Sequence, residues 1–250
     1  MHKTKNKHSN EKSTSVGFRS RNVRHSCTDD EKSKVTLSKT SYTLYHSETA
    51  QIQGTNIDAC DWWSSNDFVA TISDGVIKGQ YVGSTWGNSS QGHSFTVDVK
   101  PKYNLYTEPY MKWGASQATI KSYCGTPASS TSDGLIYESG NSNVPLYVYM
   151  FDNTGMYCCG VLVKVSAAST LADFLTERYL TYSVDMSTYT AYFAHCSGKK
   201  DSPNVDYAVS MTYSASLGGI LVVYVNGNSS SKADMNGMIE NALTEASFKL

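Results

Sequence analysis

The sequence predicts a β-rich protein in two folded parts, an all-β sandwich over residues 35–101 and an α+β domain over residues 105–250. Three observations predict it. Short apolar-alternating segments separated by turn residues recur about every ten residues through the first part, as in sandwiches. The second part repeats itself, with residues 160–165 matching residues 220–225. An amphipathic helical pattern stands ahead of each copy, so the duplicated unit reads helix, strand, strand, strand.

The first 34 residues hold many Lys, Arg and His and few apolar side chains. Such a stretch cannot bury enough surface to offset its ordering entropy, and a disordered tail is expected. Basic tails can bind nucleic acid. The formal net charge of −1, however, supplies no global field to draw in nucleic acid or acidic lipid.

In the first part, Val35, Leu37, Leu44, Ala50 and Ile52 sit in segments rich in Thr, Ser and Tyr. Residues 68–72 read as a strand, Asp74-Gly75 as a tight hairpin turn that needs positive φ, and residues 76–79 as the returning strand. Phe95, Val97 and Val99 alternate strictly, and Pro101 closes the segment. Trp62 and Trp63 are neighbours, so on a strand they face opposite ways. Trp63 is expected in the core and Trp62 at the surface or an edge, where a sugar or a partner could stack. Packing of Trp62 under a loop is the blander alternative.

In the second part, Ser116 caps a helix with Ile120, Tyr123 and Cys124 on its apolar face. A second helix is expected with Thr170 and Asp173 as a capping pair and Leu171, Phe174, Leu175 and Tyr179 on one face. Glu177 and Arg178 at its end are expected to be solvated or capping. The two copies fall at about 111–165 and about 169–226, and a last helix over 234–245 carries Met235, Met238, Ile239 and Ala242 on one stripe. Neither copy can bury a sheet face alone. Joined, they form one antiparallel sheet with both helices on one face. In the first copy Tyr147, Tyr149 and Phe151 share one face, while Leu146, Val148 and Met150 share the other. The aromatic face is expected to be partly open and to bind a ligand, or to pack on the sandwich.

No catalytic constellation stands out. G-x-S-x-G, a phosphate-cradling glycine loop, H-E-x-x-H and an EF-hand loop are all missing. His195 and Cys196 are strand neighbours and cannot form a dyad locally. The cysteines show no zinc spacing, so no metal and no cofactor is expected. Buried free thiols are the expected state, and spacing does not decide whether a bridge such as Cys124–Cys196 forms. No apolar run is long enough for a spanning helix, and no intact signal peptide is visible.

Two resemblances extend this reading. Residues 63–66 (WSSN), 69–73 (VATIS), 75–79 (GVIKG) and 82–85 (VGST), after the opening 35–38 (VTLS), resemble the bacterial immunoglobulin-like group 2 family. That resemblance implies a β-sandwich of adhesins and surface proteins, serving as spacer or binding module. Residues 87–92 depart from it, replacing part of an apolar strand. The duplicated unit resembles TATA-binding-protein-like and β-lactamase-inhibitor-protein-like α+β folds in topology. Residues 26–31 (SCTDDE), together with residues 113–116 and 173–179, are similar to segments of Gram-negative surface lipoproteins, which implies a lipid anchor on Cys27. The residues before Cys27 are not an apolar h-region.

The combined expectation is a non-enzymatic module of the outer membrane or cell surface, reaching the membrane only through a lipid anchor. Its partner would be a glycan or a host or bacterial surface protein, bound through Trp62, Tyr147, Tyr149 and Phe151. Nucleic acid is not an expected partner. A secreted or periplasmic inhibitor using the α+β sheet is the first alternative, and an unrecognised hydrolase the second.

Overall fold

The computed structural model describes residues 34–227. Cys27, the rest of the expected tail and the expected helix over 234–245 lie outside the described residues. The described chain is mostly β with few helices, and its sheets are almost entirely antiparallel. No described helix is long and apolar enough to cross a membrane.

The first part is sandwich-like. Strands β2 (Ser41–Tyr45), β9 (Ser94–Lys100), β8 (Gly83–Ser89) and β5 (Trp62–Ser64) form one sheet in that order, with β2 parallel to β9. Strands β3 (Thr49–Gln51), β7 (Val76–Gly79) and β6 (Ala70–Ser73) form a second. A short pair, β1 (Thr36–Leu37) with β4 (Gly54–Thr55), flanks them. Tyr42, Leu44, Ile52, Ala70, Ile77, Phe95 and Val97 fill the core. The expected hairpin is present: Ser73 pairs with Val76, and Asp74 and Gly75 both take positive φ (50° and 71°). A Cβ on Gly87 would lie 2.3 Å from the Phe95 ring that sits opposite it, so β8 keeps pairing only because the residue is glycine.

The second part is one eight-stranded sheet. The chain runs α1 (Gln117–Cys124), β10 (Ser129–Ser130), β11 (Gly134–Asn141), β12 (Val144–Asp152) and β13 (Gly155–Lys164). It continues through α2 (Ala168–Thr176), β14 (Leu180–Asp185), β15 (Thr190–Lys199), β16 (Ser202–Ser214) and β17 (Gly219–Asn226). Sheet order is β10-β11-β12-β13-β17-β16-β15-β14. Each copy contributes four strands rather than the expected three, and the copies meet along β13 and β17, where Val161 faces Val222. The extra strands are β10, which is only two residues long, and β14, whose alternating Leu180, Tyr182 and Val184 are all exposed.

Both helices contribute to the same cluster as one face of this sheet. Ile120 of α1 and Leu171, Phe174 and Leu175 of α2 pack with Leu135, Tyr149, Val161 and Val222. The Ser116 cap is as expected, its Oγ accepting from the Thr119 amide at 3.2 Å. The Thr170–Asp173 capping pair is corrected: α2 begins at Ala168, after a 3-10 turn over Val165–Ala167, and has no side-chain cap. The chain comes straight out of β13 there, so the turn geometry replaces a cap.

Glu177 and Arg178 were expected to be solvated or capping; they cap the end of α2, Arg178 donating to the Phe174 carbonyl at 3.2 Å, and neither is solvated. Glu177 is only 3% exposed, and its two carboxylate oxygens accept from the Lys102 and Tyr103 amides at 2.9 and 3.1 Å. Its carbonyl accepts from the Val82 amide at 2.9 Å. Arg178 pairs with the same carboxylate and lies over the Phe174 ring, 3.7 Å from its centroid. A second joint lies at the β15–β16 turn. The Asp67 amide donates to the Gly198 carbonyl at 2.9 Å, and Lys199 reaches both the Ser64 carbonyl and the Asp67 carboxylate. The sandwich and the sheet are therefore held at two separate places.

Candidate functional site

After β9 the chain crosses the helix-side face of the sheet as an irregular strap, residues 102–116. The sheet's tyrosines hold it down. Tyr147 Oη donates to the Thr107 carbonyl at 2.7 Å. Tyr149 Oη accepts from the Tyr110 amide at 3.1 Å and from the Cys124 thiol at 3.5 Å. Tyr106 and Tyr224 share a hydrogen bond at 2.6 Å between their hydroxyls. A strap has backbone groups that no ladder satisfies, and buried phenols are suited to satisfy them because they are apolar except at the tip.

This corrects the expectation of a partly open aromatic face at Tyr149 and Phe151, though not at Tyr147. Phe151 and Tyr149 are buried, and Tyr147 is half-buried with its hydroxyl engaged. Met156 exchanges backbone hydrogen bonds with Gly114 and Ala115, and Met111 and Trp113 pack into the same core. The aromatic pattern encodes the strap's attachment. The two tryptophans are likewise inverted. Trp62 is half-buried, donates Nε1–H to the Ile57 carbonyl at 2.9 Å and packs on Phe95; Trp63 is 42% exposed. Strand β5 is short and at a sheet edge, so parity alone could not say which of its faces meets the core.

A cleft remains open beside the strap, with a volume of about 560 Å³. Its aromatic wall includes Tyr147 and Tyr123, the latter 69% exposed and stacked on Tyr110 with ring centroids 3.8 Å apart. Asn104 and Glu138 supply exposed polar groups at the rim. Flat ring faces beside amide and carboxylate groups can bind a sugar ring or a peptide, the rings by stacking and the polar groups by hydrogen bonding.

Glu108 lines the same cleft. Its Oε1 is buried without a hydrogen-bond partner, and burial pushes the carboxyl up, against the pull of Arg178, His195 and a hydrogen bond from Tyr207. Burial, with the neighbouring Glu108 adding to it, also pushes the Tyr207 phenol up. Sequence reasoning missed Glu108 and Asp67 because each lies in an irregular segment, where no periodicity marks a side chain as inward.

His195 stacks on Tyr207 (4.6 Å, 7° between planes), and its Nδ1 lies 3.0 Å from an Asp206 carboxylate oxygen. The other Asp206 oxygen accepts from Ser197 Oγ at 3.0 Å. The hydroxyl therefore bonds the carboxylate and not the imidazole, which is not the order in which a serine is activated. The thiols of Cys60, Cys124, Cys158, Cys159 and Cys196 are free. Burial pushes Cys158 up to about 12 and Cys159 and Cys196 up as well, which disfavours the nucleophilic thiolate. Among the described residues no group of three or more His, Cys, Asp or Glu is placed to hold a metal ion.

Set beside known proteins, the chain matches no family model, no curated protein and no solved structure.

Proposed function

We propose that this chain is a non-enzymatic binding module of a bacterial cell surface, in which an immunoglobulin-like sandwich (residues 35–101) presents a duplicated α+β domain (residues 105–250). The observation that carries this reading is the cleft beside the strap. It pairs an exposed, pre-stacked aromatic wall with polar groups at the rim. A rigid platform of that kind loses little entropy on binding, and a glycan is the ligand its chemistry favours. An anchor at Cys27 completes the proposal; a native preparation in which mass spectrometry finds Cys27 unmodified removes that element.

A glycan array tests the reading, with Tyr123→Ala as the control. Tyr123 is exposed and stacked on only one side, so its loss should leave folding intact and abolish retained binding. Glycan binding unchanged by Tyr123→Ala places the ligand elsewhere.

The second reading, an inhibitor that clamps a protein partner with its sheet, is favoured by a different observation. Leu180, Tyr182, Val184, Met186 and Tyr189 are exposed along β14 and the turn into β15, and Tyr192 is exposed on β15. A pull-down lost on Tyr182→Ala but indifferent to Tyr123→Ala supports that reading over the first.

A further inference from the structure

The helix-free face of the sheet is apolar and yet shielded. Leu146, Val148 and Met150 of β12, Cys158 and Leu162 of β13, and Leu221, Val223 and Val225 of β17 form a second cluster, with Ile136 and Leu217. None of them is more than 8% exposed. Among the described residues neither helix contributes to this cluster, whose members come from the sheet's own strands and the β16–β17 turn. Side chains on one sheet face stand side by side with their tips pointing away from the sheet. Neighbours in the same layer cannot cover those tips, so burial to this depth requires another layer.

We propose that this layer is the chain's own C-terminal segment, residues 228–250, docked on the face through Met235, Met238, Ile239 and Ala242. Strand β17 is central in the sheet and ends at Asn226, so the segment starts at the edge of the face it covers. The stripe has the i, i+3, i+4, i+7 spacing of a helix face. A helix over residues 234–245 would be about 18 Å long, and the axes of β11, β12, β13 and β17 span about 14 Å. The stripe therefore matches the patch in size as well as polarity. The N-terminal residues 1–33 are a poor alternative, being basic with few apolar side chains.

Two adjacent native thiols make the proposal testable in the full chain. Cys158 belongs to the second cluster and Cys159 to the helix-side cluster. A short maleimide pulse read by mass spectrometry reports each face separately. Wild type should protect both. In Ile239→Asp the labelling of Cys158 should rise at least about tenfold while Cys159 stays protected, as expected for local opening of one layer. Equal protection of Cys158 in wild type and Ile239→Asp overturns the proposal, as does a reactive Cys158 in wild type. If both thiols label together, the variant has unfolded, and photo-methionine in the otherwise unaltered chain decides. Cross-links from 235 or 238 to β12, β13 or β17 sustain the docking; cross-links from both sites only to the sandwich, to residues 1–33 or to a second copy refute it.

Discussion

The two copies of the repeated unit end their helix-side faces differently. In the first copy the last same-face pair before the β12–β13 turn is Phe151 with Met156, and the strap covers it. In the second copy the corresponding last pair before the β16–β17 turn is Tyr213 with Ile220. Tyr213 is 45% exposed, against 6% for Phe151. Tyr213 lines an apolar groove of about 550 Å³ with Val165, Val184, Met186, Tyr189 and Met211. The difference follows from connectivity. The first helix is reached through a long segment carrying Met111 and Trp113, whereas the second is reached directly from β13. A duplicated fold thus acquires asymmetry from what leads into each copy.

The sharpest way to break this comparison is to truncate both corners. Phe151→Ala should cost about 3–5 kcal/mol in denaturant unfolding, because it leaves a cavity under the strap. Tyr213→Ala should change stability by about 0.5 kcal/mol or less, as exposed sites do. Similar losses at both would mean that the second corner is covered too.

Glu177→Ala probes the strap's other end. It removes the acceptor for two amides and leaves Arg178 buried without its partner, so a loss of about 3–5 kcal/mol is expected in the same assay. A loss below about 1 kcal/mol would show that the Arg178 charge finds water when its partner is gone.

Tyr147→Phe deletes one hydroxyl and leaves the ring. About 1 kcal/mol should be lost, with faster amide exchange confined to the strap around Thr107. An unchanged exchange pattern would mean that packing and not the phenol tip positions the strap.

The smallest effect concerns pH. Burial raises the Glu108 carboxyl in the folded state, so the fold retains that proton more strongly than the unfolded chain does. The contribution to stability is complete below the unfolded carboxyl's ordinary range. It is lost as pH rises through that range toward the folded value. Glu108→Gln should flatten that decline when midpoints are compared from acid to neutral pH, and an unaltered slope would assign the decline to another group.

How far the sequence reveals this molecule depends on regularity. Phe95, Val97 and Val99, the Asp74-Gly75 turn and the face of Leu171, Phe174 and Leu175 were readable because periodicity of two or 3.6 marks what points inward. The meeting of the two copies into one sheet followed from their repetition. The cleft was half legible: Tyr147 and Tyr149 stood out as a pattern, but their task depends on a strap with no period of its own. Glu108 was invisible for the same reason, since only the path of an irregular chain turns a carboxylate inward; Glu177 was legible as a helix end, but not its burial against the Lys102 and Tyr103 amides. Trp62 and Trp63 were misassigned because parity gives opposite faces without saying which one is inner.

The two joints between sandwich and sheet, at Glu177 and at the Gly198–Lys199 turn, have a mechanical consequence. A body fixed at one point swivels freely, and a body fixed at two keeps only the axis through both. Under tension the molecule would then transmit torque like a lever instead of trailing like beads on a string. The bearing of the cleft would be set by whatever holds the sandwich, and shear would load those amide and carboxylate contacts before it reached the sheet.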